Sequence, residues 1–153
     1  MPRRPQLVVL EVDGRIGRQL AEFAAENRWL VRPARTPAAA LDLVRDRRPT
    51  VLFVPFDPAA AEPAAVALVA DVHRLAPDAA VVAVSDEKLS EADRAAWTAV
   101  LFDLGARYVL FPPLTKPVLE DLASGLMAVA TGIALGPPAP GDGVIDLADE
   151  DDE

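Results

Sequence analysis

Three carboxylates follow closely on short apolar runs: Glu11 and Asp13 after Leu7–Leu10, and Asp57 after Val51–Val54. Carboxylate oxygens brought together can hold a hard divalent cation. Ser85 and Asp86 follow a further apolar run, Ala80–Val84, and Lys116-Pro117 adds a cation near the last apolar stretch. Each of these has a plain structural reading as well. Asp57-Pro58 and Asp13-Gly14 read as helix starts, because an Asp cap followed by proline at the first helical position is favoured. Lys116-Pro117 reads as the start of the final helix. His73, the single histidine, lies beside Arg74 in a helical stretch and reads as a solvent-side residue.

Composition narrows the chemistry further. The 153 residues contain no cysteine, which removes disulfides, thiolate metal sites and cysteine nucleophiles. One histidine excludes multi-histidine metal sites within a chain and argues against a histidine-based hydrolase. The net charge is −9, but residues 142–153 hold seven acids and no base, so the rest of the chain is near neutral. Without a basic surplus, nucleic acid is not an expected partner. The run from Leu122 to Pro140 is uncharged but thinned by Gly125, Thr131, Gly132 and Gly136. It reads as a buried helix or a partner face and not a membrane span. A cytoplasmic location is expected, since Leu7–Leu10 is too short for a signal-peptide core.

The elements that position these residues alternate. Apolar runs at Leu7–Leu10, Trp29–Val31, Val51–Val54, Ala80–Val84 and Tyr108–Phe111 have the character of strands buried on both faces. Between and after them lie helical faces: Ile16, Leu20, Phe23 and Ala24; Ala40, Leu41 and Val44; Val66, Val69, Val72 and Leu75; Trp97, Val100, Leu101 and Leu104; and Leu119, Leu122, Leu126 and Val129. Thr36-Pro37, Asp57-Pro58 and Ser90-Glu91-Ala92-Asp93 mark helix starts, and Gly105 marks a helix end. A β-α unit repeated five times predicts an α/β sandwich with a parallel sheet between helical layers. Sites in such sheets lie at the carboxyl ends of the strands. Residues 1–136 form the predicted domain. From Pro137 a Pro/Gly linker and an acidic tail, expected to be disordered, complete the chain.

The spacing resembles that of response-regulator receiver domains over about residues 6–132. Glu11-Val12 stands where the family has an acid pair, Trp29 opens strand 2, Ala40-Leu41 falls in helix 2, and Arg48-Pro49-Thr50 leads into strand 3. Ser85 stands at the family's Thr/Ser position, and Gly105-Ala106-Arg107-Tyr108 resembles its approach to strand 5. The resemblance implies a flavodoxin-like (βα)5 fold with strand order 2-1-3-4-5. It also implies a site in which two acids hold Mg²⁺, a strand-3 aspartate accepts a phosphoryl group, and a lysine before a proline neutralises charge. This chain departs from that pattern. The acceptor position is Pro55, the second acid is Val12, and the lysine position is Pro112, followed by Pro113.

The expectation is therefore a pseudo-receiver: no enzyme, no cofactor and no resident metal, acting through protein partners. The partner face implied by the resemblance runs over helix 4, strand 5 and helix 5 and includes Trp97, Leu101, Tyr108, Leu119, Leu122 and Leu126. The small residues Ala123, Gly125, Ala128 and Ala130 suggest close helix approach and a homodimer there. In the tail, Val144-Ile145-Asp146-Leu147 is an apolar tetrapeptide suited to adding as a strand to a partner's sheet. A solubilising tail is the alternative. Two other functions stay open: a flavodoxin-like small-ligand or nucleotide binder, and an active receiver using Asp57. Asp13-Gly14-Arg15-Ile16-Gly17 lacks the spacing of a phosphate-cradling loop, which counts against the nucleotide binder.

Overall fold

The computed structural model describes residues 3–11, 13–46, 48–58 and 64–135. Five strands and five helices alternate: β1 Gln6–Leu10, α1 Arg15–Glu26, β2 Leu30–Ala34, α2 Pro37–Val44, β3 Thr50–Phe56, α3 Ala64–Leu75, β4 Ala80–Ser85, α4 Glu91–Leu104, β5 Tyr108–Leu110 and α5 Lys116–Leu135. The strands form one parallel sheet in the order β2-β1-β3-β4-β5. This is the expected flavodoxin-like (βα)5 architecture.

The apolar runs are continuous because both sheet faces are covered. Alternate strand residues feed two cores. Val8, Leu10, Leu52, Val54, Val81, Ala83 and Val109 pack toward α2, α3 and α4. Leu7, Val9, Val51, Phe53, Val82, Val84 and Leu110 pack toward α1 and α5.

Helix ends follow local chemistry. Thr36 Oγ1 accepts from the Ala39 amide at 3.1 Å, with Pro37 in the first turn. Ser90 Oγ accepts from the Asp93 amide at 3.2 Å. Gly105 ends α4 at φ 116°, a conformation that favours glycine.

Several expectations need correction. Pro58 lies in a turn and not at a first helical position, and α3 is described from Ala64. β2 begins after Trp29 and includes Pro33, which an edge strand tolerates. Three helical faces were partly misread. Leu75, Val100 and Val129 are exposed, whereas Leu68, Ala123 and Met127, absent from the expected faces, are buried; Leu101 is buried as expected of its face. Among the described residues no helix is long and apolar enough to cross a membrane. The linker and the tail residues Val144, Ile145, Asp146 and Leu147 lie outside the described residues, as does Val12.

Candidate functional site

The carboxyl ends of the strands bring the residues of the expected site together. Glu11 follows the last residue of β1, and Pro55 is the penultimate residue of β3. Val9 pairs with Phe53, so the register carried two residues further sets Glu11 level with Pro55. Pro55 lies beyond the residues paired with β1, while β4 still pairs with the strand there through Val84. Pro55 is exposed, and its side chain offers no oxygen to a phosphoryl group or a cation.

Glu11 has a structural task. Its Oε1 accepts from the Ile16 amide at 2.9 Å and its Oε2 from the Gly17 amide at 2.8 Å. These amides belong to the first turn of α1, whose N–H groups have no helical partner. A Cβ at position 17 would stand 3.3 Å from Glu11 Oε2, so glycine leaves room for this contact. Asp13 assists, its Oδ1 accepting from the Arg15 amide at 3.1 Å. The cap of α1 is thus shared by Glu11 and Asp13, where sequence reasoning assigned it to Asp13-Gly14 alone.

Arg15 and Asp86 were not recognised as partners in the sequence, since 71 residues separate them. Arg15 Nη2 donates to Asp86 Oδ1 at 2.6 Å, joining the start of α1 to the loop after β4. The hydrogen bond to Asp86 and its charge hold the Arg15 guanidinium above its ordinary pKa.

Ser85 is fully buried. Its hydroxyl donates to the Glu87 carbonyl at 3.1 Å and accepts from the Glu87 amide at 3.0 Å. It therefore closes a local turn within its own loop.

After β5, Pro112 and Pro113 are joined by a cis peptide bond. Lys116 begins α5 and lies 3.7 Å from Glu22 and 3.9 Å from Glu120, as expected for a helix-start residue.

These residues do not fit the Mg²⁺ of receiver phosphotransfer. Glu11 is committed to the α1 amides, and Pro55 supplies no ligand. Among the described residues no group of three or more His, Cys, Asp or Glu side chains is placed to hold a metal ion.

The geometry agrees with solved structures. The signal receiver domain of a Luxo repressor protein from Vibrio parahaemolyticus superimposes with a TM-score of 0.69 at 12% identity, covering 87% of this chain and 97% of that one. The receiver domain of NtrX from Brucella abortus gives a TM-score of 0.62 at 20% identity, covering 80% of this chain and 98% of that one. A response regulator from Thermotoga maritima gives 0.64 at 16% identity, covering 82% and 99%. The fold is that of response-regulator receiver domains. No family model matches the sequence, and no curated protein matches it significantly. The receiver fold is thus shared at low identity.

Of the expected partner face, Leu101 and Leu119 are fully buried. They are core residues and cannot meet a partner without unfolding the domain. Leu122 and Leu126 are half-buried against the α1–α5 core. Trp97 is half-buried against Phe56, with ring centroids 5.4 Å apart. Ala123 and Ala130 face the core, so their small size serves packing within the domain. Tyr108 is exposed as expected, and Phe102, absent from the expected face, is 48% exposed. Phe102, Tyr108, Arg94, Thr98 and Phe111 line a cleft of about 550 Å³ between α4 and β5. Arg94 lies over the Phe111 ring at 5.6 Å, a cation–π contact.

Proposed function

We propose that this chain is a receiver-fold signalling module that works by binding a protein partner, without phosphotransfer and without catalysis of its own. Phosphoryl transfer needs an oxygen nucleophile, a cation and charge neutralisation together. The observation that carries the reading is the replacement of those parts. Pro55 stands in place of the nucleophile, Pro112 in place of the lysine, and both Glu11 oxygens engage α1. Ser85, tied to its own loop, is not set to sense a phosphoryl group.

Recognition then falls to the cleft between α4 and β5. It offers two exposed aromatic rings, Phe102 and Tyr108, beside Arg94 and Glu91. Aromatic and arginine side chains are what protein interfaces enrich at their centres. α5 also exposes Val118 and Val129. A heterologous protein or a second copy of the chain suits this surface, and the setting is cytoplasmic.

The test is incubation with acetyl phosphate and Mg²⁺, followed by intact-mass measurement. No phosphoryl adduct is expected. An aspartyl phosphate, at Asp57 or elsewhere, overturns the reading.

A further inference from the structure

We propose that the acidic C-terminal segment, residues 142–153, docks in cis on an arginine-rich surface at the opposite end of the domain from the strand-end site. The parallel strands put the segments that precede them at one end. Arg3 and Arg4 precede β1, Arg28 precedes β2, and Arg45 and Arg48 precede β3. Arg32 reaches the same place from β2, 3.7 Å from Asp46.

This end is organised to hold a carboxylate. Arg3, Arg32 and Arg48 converge on Asp46, with Arg48 Nε donating to its Oδ2 at 2.8 Å. Burial pushes the Asp46 carboxyl up, but the Arg48 hydrogen bond and the charges of Arg48 and Arg3 outweigh it, and its pKa falls below the ordinary value. One carboxylate does not satisfy the cluster. Arg48 Nη1 also donates to the Arg4 carbonyl at 3.2 Å, and Arg4 Nε to the Arg28 carbonyl at 3.0 Å. Arg4, Arg28 and Arg45 make no ion pair among the described residues. Glu26, Asp42 and Asp78 are other carboxylates of this region, and all are exposed.

The position of α5 selects the occupant. A cleft of about 490 Å³ at this end is lined by Arg45, Arg48, Pro49, Leu75, Asp78 and Ala130, among others. Ala130 belongs to α5, so the last helix ends beside the arginines. Five residues, or about 7.5 Å of helix, separate Ala130 from Leu135. From there to Asp142 an extended chain reaches about 23 Å, enough to return to the cleft. The segment from Asp142 carries seven acids and no base. Leu75, 39% exposed on the cleft wall, gives its Val144, Ile145 and Leu147 an apolar surface to cover. Attachment to the same chain supplies a high effective concentration, which favours this occupant over a free acidic peptide.

The chain has no cysteine, so Ala148→Cys in the full-length protein accepts a single nitroxide spin label while keeping every tail acid. In ¹⁵N-resolved spectra at low salt, amides of Arg28, Arg45, Ala76 and Asp78 are expected to lose most of their intensity. Those amides recover in about 1 M NaCl, where the Debye length is about 3 Å. The loss also disappears when the exposed arginines are neutralised together (Arg4→Gln, Arg28→Gln and Arg45→Gln). It disappears as well when the tail is neutralised by Asp149→Asn, Glu150→Gln, Asp151→Asn, Asp152→Asn and Glu153→Gln, which leaves the domain untouched. Broadening that is uniform, that centres on the α4–β5 cleft, or that survives tail neutralisation overturns the proposal. So does equal broadening of an unlabelled ¹⁵N protein mixed with spin-labelled ¹⁴N protein, which marks contact in trans.

Discussion

Arg15 and Asp86 are joined at 2.6 Å across the ends of β1 and β4, the one from the first turn of α1 and the other from the loop after Ser85. Their side chains are 52% and 66% exposed, so water screens the pair. A double-mutant cycle with Arg15→Ala and Asp86→Ala is expected to give a coupling of about 0.2–1 kcal/mol, falling as salt rises. Urea unfolding of the four proteins measures it. A coupling that is large and insensitive to salt contradicts this screened geometry.

An aspartate at position 55, where the family resemblance sets the acceptor, is not expected to bring phosphotransfer by itself. In Pro55→Asp, Pro112 still stands where the family resemblance sets the lysine, and Glu11 still faces the Ile16 and Gly17 amides. Acetyl phosphate with Mg²⁺ should therefore leave the variant unmodified by intact mass. An adduct on position 55 shows that Glu11 can leave the helix start to hold the cation.

The fold was legible because its signal is repeated. Short Val-rich runs buried on both faces, and helix starts such as Thr36-Pro37, are set by neighbours in sequence. The site was legible only at single positions. Spacing set Glu11, Pro55 and Ser85 at the ends of β1, β3 and β4, where they lie, but the Glu11 cap depends on how the chain turns into α1. The Arg15–Asp86 pair joins residues 71 apart in sequence. No periodicity encodes such a contact. Helical faces were misread where small residues do the packing. Ala123 and Ala130 are buried in the core with Leu119 and Met127 while Val129 is exposed.

Asp46 makes stability depend on acid. Its carboxyl titrates below its ordinary value in the folded chain, so its contribution is present above the unfolded pKa of about 3.9 and is lost as pH falls through the lower folded value. Wild type should therefore exceed Asp46→Asn in stability near neutral pH, with the gap narrowing below about pH 4. Urea midpoints of the two proteins across that range provide the measurement. A gap that widens on acidification has the wrong sign.

Gly105 is constrained twice. Its φ of 116° is unfavourable for a side chain, and an added Cβ would stand 2.5 Å from both Cβ and Cγ of His73 on α3. Gly105→Ala should destabilise the domain by roughly 1–3 kcal/mol. Combining it with His73→Ala removes the ring but leaves the contact with Cβ of residue 73 and the backbone conformation, so only part of the loss should return. Full recovery in the double variant assigns the effect to the His73 ring alone.

Leu101 and Phe102 are adjacent on α4 and separate core from surface. Leu101 is fully buried in the core beneath α3 and α4, whereas Phe102 is 48% exposed on the cleft beside Tyr108. Leu101→Ala should cost about 2–5 kcal/mol, the range for truncating a packed leucine. Phe102→Ala should change stability by no more than about 0.5 kcal/mol, as exposed positions do. Urea unfolding separates the two. If the cleft is a recognition surface, Phe102→Ala also lowers affinity for the bound protein, or shifts a self-association equilibrium in sedimentation. Its helix content should stay unchanged. A variant that keeps stability, self-association and partner affinity alike removes Phe102 from the interface and shifts attention to Val118 and Val129 on α5.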